Sequence, residues 1–476
     1  MGDIQLAARD AWFLYRDEVF ADDSSMVMCG VYVFDTAGDP HPLRTRDELV
    51  GWANARLDRA PILRRRLHRV RWDLDYPFWT AAEDVEAADH VEVHEVGDTD
   101  RRALMALLDH HATQPVDLAR PPWEIRFFTR VRGVDGVPED ATIALTRYHH
   151  AAADGLGAVQ VTRALFDDPD ARPATGGPNR ARHGAVVGAL RTTSQTRRLV
   201  GAMSRAVAAR KEIARMVESG EMSMPSSDRP RTRFNVGGPG DRVVDVVDLR
   251  LSDVRRVARG TGTTVNDVLV TIVGGALHRY LVDCGERPGS SLAAHVPWAF
   301  RDRAGTRSAN RIGAMIVDMH TDEGDPLARL RLVHQAASAE KERVRHPATV
   351  NTTTLLDHAP SIYLKSALKL ERRRSRAADA EGIVMANTLI TNVPRGDATL
   401  RLGNSPVIGG FGIAPIHRHA RLAHAVTSLG DELTVCFTSD RQVMPDPAVY
   451  RAALRDEFVR LVERVHEAGP GVEVAS

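Results

Sequence analysis

Two adjacent histidines, His149 and His150, followed by Asp154 and Gly155, form the pattern in this sequence with the clearest capacity for chemistry. Residues 142–146 alternate between polar and apolar side chains, which is typical of a strand. Adjacent strand side chains point to opposite faces, so we expect the two histidines to serve different sites. A neutral imidazole accepts a proton near neutral pH, so one of them is a candidate general base.

Asp154 and Gly155 form a turn signal, and apolar residues follow at helical spacing, so the strand is expected to lead through a tight corner into a helix. A histidine pair alone is more often a surface pair or a satisfied core pair than a catalytic one. The spacing is not that of a helical HExxH motif, and no cysteine or glutamate is close in sequence. We therefore predict no metal at the histidines.

Length and composition restrict the possible classes of protein. A chain of 476 residues is long enough for two or three domains, and its 63 basic residues balance 63 acidic ones, which argues against a nucleic-acid binder. Cys29, Cys284 and Cys436 are far apart, as expected for buried thiols in a reducing compartment. The N-terminus lacks a signal-peptide core, and the apolar run 26–34 is too short to cross a bilayer. We therefore expect a soluble intracellular protein.

Alternating strand and helix patterns predict an α/β protein with layered sheets and helices. Residues 168–180 are rich in Pro, Gly and Ala, which is typical of a linker. The predicted organisation is an N-terminal half at 1–178, a basic helical linker at 179–240 and a C-terminal half at 241–476.

The clearest helix of the second half begins at Val265, and its apolar residues keep helical spacing as far as Leu281. A preceding threonine is the expected N-cap. Asn266 and Asp267 fall in the first turn, near the positive end of the helix dipole. They either support a site or serve as ordinary capping residues.

Five further short blocks accompany the histidine pair. They are 10–14 (DAWFL), 115–124 (PVDLARPPWE), 265–268 (VNDV), 310–311 (NR) and 391–394 (TNVP). Together with HHAAADG at 149–155, these blocks resemble the bacterial wax ester synthase/diacylglycerol acyltransferase family, whose motifs include HHxxxDG, PLDRxRPLWE and NVPGP. Six blocks in order over nearly the whole chain are far more specific than one. That family belongs to the CoA-dependent acyltransferases, which share a fold with chloramphenicol acetyltransferase and peptide-synthesis condensation domains.

The sequence departs from the family pattern at a few positions. Pro394 is followed by Arg395 and Gly396 where the family has Pro-Gly-Pro, and Leu429 stands where a tyrosine is usual. Pro122 replaces a leucine in the PLDRxRPLWE block. These changes leave the histidine motif intact and affect the expected acceptor and acyl-chain pocket.

The resemblance implies two chloramphenicol acetyltransferase-like αβ domains with mixed sheets, meeting at a channel beside the histidine motif. It implies that His150 is the general base and that His149 faces inward or braces the strand. Asp154 is expected to pair with an arginine, for which Arg64 and Arg66 are the candidates. The supporting residues of the site are then Gly155, Asn266 and Asp267.

The expected activity follows from an alcohol's weakness as a nucleophile at neutral pH. A neutral imidazole can take the hydroxyl proton while the alcohol attacks a thioester. The sequence contains no GxSxG motif, so direct transfer without an acyl-enzyme is the simpler mechanism. We predict an O-acyltransferase that needs no cofactor and uses acyl-CoA and a lipid alcohol, making triacylglycerol or wax ester. The alternatives are a carrier-protein-dependent acyltransferase or condensing enzyme, and a non-catalytic lipid-binding protein. The presence of His150, Asp154 and Asn266 favours an enzyme.

Long-chain lipid substrates require contact with a membrane or lipid-droplet surface. Residues 182–215 carry many arginines interleaved with Val, Leu, Met and Ile, and Glu212 is their one acidic residue. A helix of this kind can lie among anionic headgroups. Alternatively, it is a linker whose apolar stripe packs on the protein body. We therefore expect a cytoplasmic protein that can also associate with membranes.

Overall fold

The computed structural model describes residues 2–21, 25–173, 185–226, 228–236, 240–299, 312–377, 384–417 and 420–469. The helices are α1 (Ala8–Val19), α2 (Arg46–Asn54), α3 (Arg101–Ala112), α4 (Gly155–Leu165), α5 (Ala185–Glu218), α6 (Leu251–Gly260), α7 (Val265–Asp283), α8 (Pro326–Arg345), α9 (Pro347–Thr353), α10 (Ser361–Ala377) and α11 (Pro447–Ala468). The strands are β1 (Ile4–Gln5), β2 (Val27–Asp35), β3 (Arg65–His68), β4 (Phe78–Ala81), β5 (Val91–Glu95), β6 (Trp123–Val131), β7 (Ala141–His149), β8 (Arg242–Arg250), β9 (Ala293–Ala299), β10 (Ile312–Asp318), β11 (Thr388–Gly396), β12 (Arg401–Leu402), β13 (Ser405–Ile413), β14 (Leu422–Leu429) and β15 (Glu432–Asp440). Across the described ranges, no helix has both the length and the hydropathy needed to cross a membrane.

Two six-stranded sheets form the centre of the molecule. Their strand orders are β12-β13-β2-β7-β6-β5 and β10-β9-β11-β14-β15-β8, and β1, β4 and β3 form a small third sheet. Strand β5 is parallel to β6, and β11 is parallel to both β9 and β14, whereas the other neighbours are antiparallel. The predicted α/β class with mixed sheets is confirmed.

Two strands from late in the chain complete the first sheet. Strand β13 pairs with β2, so that Phe411 lies opposite Val31. A β-carbon at Gly410 would lie 2.5 Å from the Val31 carbonyl oxygen, so this pairing depends on glycine. The predicted C-terminal half, 241–476, thus contributes to both sheets, and residues 179–184 and 470–476 of the predicted organisation lie outside the described ranges.

Strand β11 differs from its expected position. The sequence pattern predicts a strand over 383–390 that ends at the TNVP block, but β11 runs from Thr388 to Gly396 and contains the whole block. Pro394 cannot donate a ladder hydrogen bond and therefore suggests a strand end. The pairing with β14 accommodates it through a register shift between Pro394 and Gly396.

The two sheets are joined by apolar packing. Val31 and Ile143 of the first sheet belong to the same buried cluster as Val246, Ala425 and Cys436 of the second. Burial of this surface fixes the position of one sheet against the other.

Candidate active site

Strand β7 is buried along its whole length and lies between β2 and β6. Its last residue, His149, pairs with Val27, and the chain then turns so that the Ala152 N–H donates to the His149 carbonyl at 2.9 Å. Helix α4 begins at Gly155. The predicted order of strand, corner and helix is confirmed, and it places the histidines at the end of a rigid central strand.

His149 is buried and braces the corner. Its Nδ1 accepts a hydrogen bond from the Ala151 N–H at 3.1 Å, which leaves the ring proton on Nε2. Nε2 lies 3.5 Å from the Asp17 carboxylate, and that carboxylate also accepts from the Met26 N–H at 2.7 Å. His149 therefore connects the end of β7 to α1.

His150 has a different environment. Its ring stacks on Phe13 of α1, with 4.0 Å between ring centroids and 2° between ring planes. The backbone N–H of His150 donates to the Met26 carbonyl at 2.8 Å. The two histidines thus contact different side chains, as strand alternation predicts. Sequence reasoning assigned no role to Phe13, and its place in the DAWFL block was the only signal.

Asp154 caps helix α4. Its Oδ1 accepts a hydrogen bond from the Gly157 N–H at 2.7 Å, where the helix dipole also favours negative charge. Arg64 pairs with Asp58 at 2.6 Å, and Arg66 is exposed on β3. Arg64 is therefore engaged with Asp58, and the pairing of Asp154 with an arginine stays a prediction.

Gly155 brings the histidine motif against the TNVP block. A β-carbon at Gly155 would lie 3.1 Å from the Val393 Cγ2 atom, so a larger residue would press on β11. The neighbouring Asn392 donates from Nδ2 to the Asn266 Oδ1 at 2.8 Å. Strand β11 therefore contacts both the histidine motif and the ND block, which are far apart in sequence.

Asp267 caps the start of helix α7 and also contacts helix α8. Thr264 and Asp267 form a capping box at the start of α7, as the threonine N-cap prediction requires. The Asp267 Oδ2 also lies 2.7 Å from the His334 Nδ1 of α8. The capping box is the interpretation that fits Asp267. No sequence spacing indicated the contact with His334. The predicted NR block, 310–311, lies outside the described residues.

The PVDLARPPWE block anchors the strand that carries the histidines. Trp123 is fully buried and donates from Nε1 to the Leu63 carbonyl at 3.0 Å. Glu124 forms an ion pair with Arg147, which is fully buried two residues before His149. This block therefore fixes β7 from its β6 side.

A cavity of about 400 Å³ adjoins the His149 face of the first sheet. Asp17 and Val27 line it, and Val27 is the strand partner of His149. Arg421 and Asp440 line its other side and form a buried ion pair at 2.5 Å. The remaining lining includes Ala112, Pro115, Ile413, Pro415 and Ile416. Its size and mixed lining suit part of an elongated, mostly apolar molecule.

The two fully buried cysteines do not supply a nucleophile. Burial raises the pKa of the Cys29 thiol and also that of the Cys436 thiol. A thiol without thiolate character is a poor nucleophile. Chemistry at this site therefore centres on the imidazoles.

One described cluster, Glu92, His94 and His111, has the spacing of metal ligands, but it lies on β5 and α3. The Arg126 guanidinium lies 2.7 Å from the His111 Nδ1 and 3.2 Å from the Glu92 carboxylate. Burial and this cation lower the pKa of His111 to about 4. Arg126 already supplies positive charge at the place that a metal would take, so the cluster does not fit one well.

Two packed mixed sheets, with a histidine at the end of a central strand, agree with the chloramphenicol acetyltransferase-like fold that the resemblance implied. The family model for the wax ester synthase/diacylglycerol acyltransferase catalytic domain matches residues 6–269, and the model for the C-terminal domain of that family matches 308–461. The chain therefore belongs to the wax ester synthase/diacylglycerol acyltransferase family and is an acyltransferase.

Individual relatives agree with this assignment. The chain is 27% identical over 459 residues to a Mycobacterium tuberculosis protein named as a diacylglycerol O-acyltransferase, covering 93% of this chain and 87% of the relative. It is 32% identical over 246 residues to a Mycobacterium bovis protein of the same description, covering 50% of this chain and 53% of that protein. The solved wax ester synthase/diacylglycerol acyltransferase of Marinobacter aquaeolei VT8 superimposes with a TM-score of 0.64 at 19% identity, covering 97% of this chain and all of that one. The starter condensation domain of rhizomide synthetase shares the fold with a TM-score of 0.55 at 13% identity, covering 99% of this chain and 96% of that domain.

Proposed function

We propose that this acyltransferase moves a long-chain acyl group from acyl-CoA to a lipid alcohol, either diacylglycerol or a fatty alcohol, with His150 as the general base. The names of the relatives support these substrates. The observation that carries the assignment of the base is the position of His150, which follows a fully buried strand and has its ring stacked on Phe13.

The reaction requires one proton acceptor and no covalent enzyme intermediate. The acceptor hydroxyl gives its proton to the His150 imidazole while its oxygen attacks the thioester carbonyl carbon. The tetrahedral intermediate then collapses, the carbon–sulfur bond breaks, and the departing thiolate takes the proton from the imidazolium. The products are the ester and free CoA, and His150 returns to its neutral form. A positioned base of this kind contributes about 10²–10⁴-fold to the rate.

The surrounding residues reduce the freedom of this base. Stacking on Phe13 sets the plane of the His150 ring. His149 fixes the backbone of the corner through the Ala151 N–H, and Asp154 fixes the start of α4. We assign His149 and Asp154 as positioning residues and His150 as the catalytic residue.

We also propose that the enzyme meets its substrates at a membrane or lipid-droplet surface. Both the acyl donor and the proposed acceptors carry long hydrocarbon chains, which partition into such surfaces. Peripheral contact would therefore supply the substrates.

An acceptor-dependent thiol-release assay tests the proposed function. Palmitoyl-CoA is supplied with diacylglycerol, with hexadecanol or without acceptor, and the ester product is identified by mass spectrometry. We expect CoA release to require an alcohol and to match ester formation one to one. A parallel reaction presents the same palmitoyl group on an acyl carrier protein. Transfer from the carrier alone would reject the CoA donor, and absence of ester with either donor would reject O-acyl transfer.

A further inference from the structure

An exposed tryptophan is held in an unfavourable backbone conformation. Trp72 is 67% exposed and has φ 60° and ψ 19°, and Asp73 follows with φ 53°. A left-handed conformation is unfavourable for a bulky residue, so it persists only where the surroundings impose it. Arg71 places its guanidinium 4.1 Å from the Trp72 ring centroid. The turn therefore presents an aromatic ring and a cation together to solvent.

Contacts on both sides of the turn impose this conformation. On one side, the Asp73 carboxylate pairs with Lys365 of α10 at 2.6 Å. On the other, the Leu74 carbonyl accepts from the Thr192 hydroxyl of α5 at 2.9 Å, and Asp75 pairs with Arg191 at 2.9 Å. The turn thus contacts both α10 and the start of α5, and the outward sides of these three elements are here called the Trp72 face.

Helix α5 turns its small residues inward and its larger apolar residues outward. Alanines at 202, 206 and 209 are buried, whereas Val200, Met203 and Val207 are more than half exposed. The exposed residues are three and four positions apart and therefore share a side of the helix. Arg197 and Lys211 lie three residues before and four residues after this set, so they flank it. The predicted alternative, an apolar stripe packed on the protein body, describes the inward side of the helix, where Leu199, Ile213 and Met216 are partly buried beside the alanines.

Helix α10 repeats this arrangement. Leu364 and Leu368 are buried with residues of α1, while Tyr363 and Leu370 are about half exposed. Arg373 and Arg374 are exposed near its end. Both helices therefore combine outward apolar side chains with nearby arginines.

The charge of this face favours an anionic partner. Helix α5 contains seven basic and two acidic residues, although basic and acidic residues balance over the whole chain. Exposed apolar residues interleaved with arginine, together with tryptophan, are the composition of an interfacial membrane helix. Tyr76, close to the Trp72 turn, shares a buried cluster with Ala151, the residue after His150. The buried cluster beneath the Trp72 turn therefore extends to the corner that follows His150.

We propose that the Trp72 turn, α5 and α10 form a single membrane-binding face, with Trp72 as an aromatic anchor among anionic lipid headgroups. The choice of lipid as partner rests on the proposed function, because an enzyme that esterifies lipids must reach them. Basic side chains attract the anionic surface, and the apolar side chains enter the boundary between headgroups and acyl chains.

Vesicle flotation of the full chain tests this proposal. The vesicles contain phosphatidylcholine alone or with about one third phosphatidylglycerol, at low and at high salt. We expect binding to the anionic vesicles and at least a tenfold weaker binding at high salt, since salt screens charge attraction. Trp72→Gly suits the left-handed backbone and should weaken binding about tenfold without loss of folding. Replacing Arg197, Arg198, Arg205 and Arg210 by glutamate should abolish flotation.

Substitutions of exposed residues on another helix provide the control. Arg455 and Val459 are exposed on α11, and the Arg455→Glu, Val459→Ser variant should float like the unchanged protein. If both the Trp72→Gly variant and the arginine variant float as well as the unchanged protein, the proposal is overturned. So would a wild type that does not float and whose self-association is lost in the arginine variant, since the face would then bind a second copy. Activity on detergent-dispersed substrate is measured separately, so loss of the proposed function would not be mistaken for loss of membrane binding.

Discussion

His149 and His150 are consecutive residues of the same type, yet their surroundings differ in nearly every respect. His149 is buried, accepts a hydrogen bond from the Ala151 N–H and lies 3.5 Å from Asp17. His150 lies one position beyond the strand, with its ring against Phe13. Strand alternation sends the first imidazole into the framework and the second to the corner where α1, β7 and α4 meet. The structure therefore separates a bracing histidine from the histidine that we propose as the base.

Removal of the second imidazole should give the largest effect. His150→Ala deletes the proposed base and little buried volume, so turnover should fall by about 10²–10⁴-fold. The thermal unfolding midpoint should stay close to that of the unchanged protein. Thiol release and a melting curve on the same preparation measure both. Turnover above about a tenth of the original value would rule out His150 as the base.

Removal of the first imidazole should affect stability more than chemistry. His149→Ala leaves the buried Ala151 N–H without its acceptor, which costs about 1–3 kcal/mol in the free energy of unfolding. We expect a smaller loss of turnover than for His150→Ala. Denaturant unfolding and steady-state kinetics are the measurements, and Asp17→Asn is the milder companion variant. If His149→Ala unfolds like the unchanged protein but is inactive, the two histidines have been assigned the wrong roles.

The corner itself is tested at Asp154. Asp154→Ala removes the cap of α4 and should cost about 0.5–2 kcal/mol of stability. Asparagine retains an oxygen that can accept from the Gly157 N–H, so comparison of the alanine and asparagine variants isolates the cap. Comparison of Asp154→Asn with the unchanged protein measures the contribution of the negative charge at position 154. Equal melting temperatures for the alanine and asparagine variants would show that the cap contributes nothing.

The smallest effect is expected where the second half supports the site. The hydrogen bond between Asn392 and Asn266 should contribute about 0.5–1.5 kcal/mol to the stability of the contact between the two halves. Alanine variants at the two positions, alone and together, form a double-mutant cycle on turnover. A coupling near zero would mean that this contact does not connect the halves during the reaction.

The parts of the site that sequence predicted depend on local pattern. The strand before the histidines, the corner at Asp154 and the capped start of α7 follow from residues a few positions apart. The predicted function came from the order of the six blocks, and membership of the family confirms it at the level of acyl transfer.

The parts that sequence missed depend on contacts between distant segments. Strand β13 contains several glycines, so its local propensity for a strand is low, and only the close approach to Val31 explains it. Stacking of Phe13 on His150 and pairing of His334 with Asp267 join residues more than sixty positions apart. A charged residue such as Arg64 has many possible partners within reach, and spacing alone could not select Asp58 over Asp154.

The central claim, that His150 takes the proton of the acceptor, can be tested most directly by varying how readily that proton is lost. Wild type and His150→Ala are compared with palmitoyl-CoA and a series of alcohols of matched length, from an ordinary primary alcohol to fluorinated alcohols of much lower pKa. A more acidic hydroxyl depends less on a base. The ratio of wild-type to variant turnover should therefore shrink steadily along the series. A ratio that stays constant from the least to the most acidic alcohol would contradict general-base catalysis by His150.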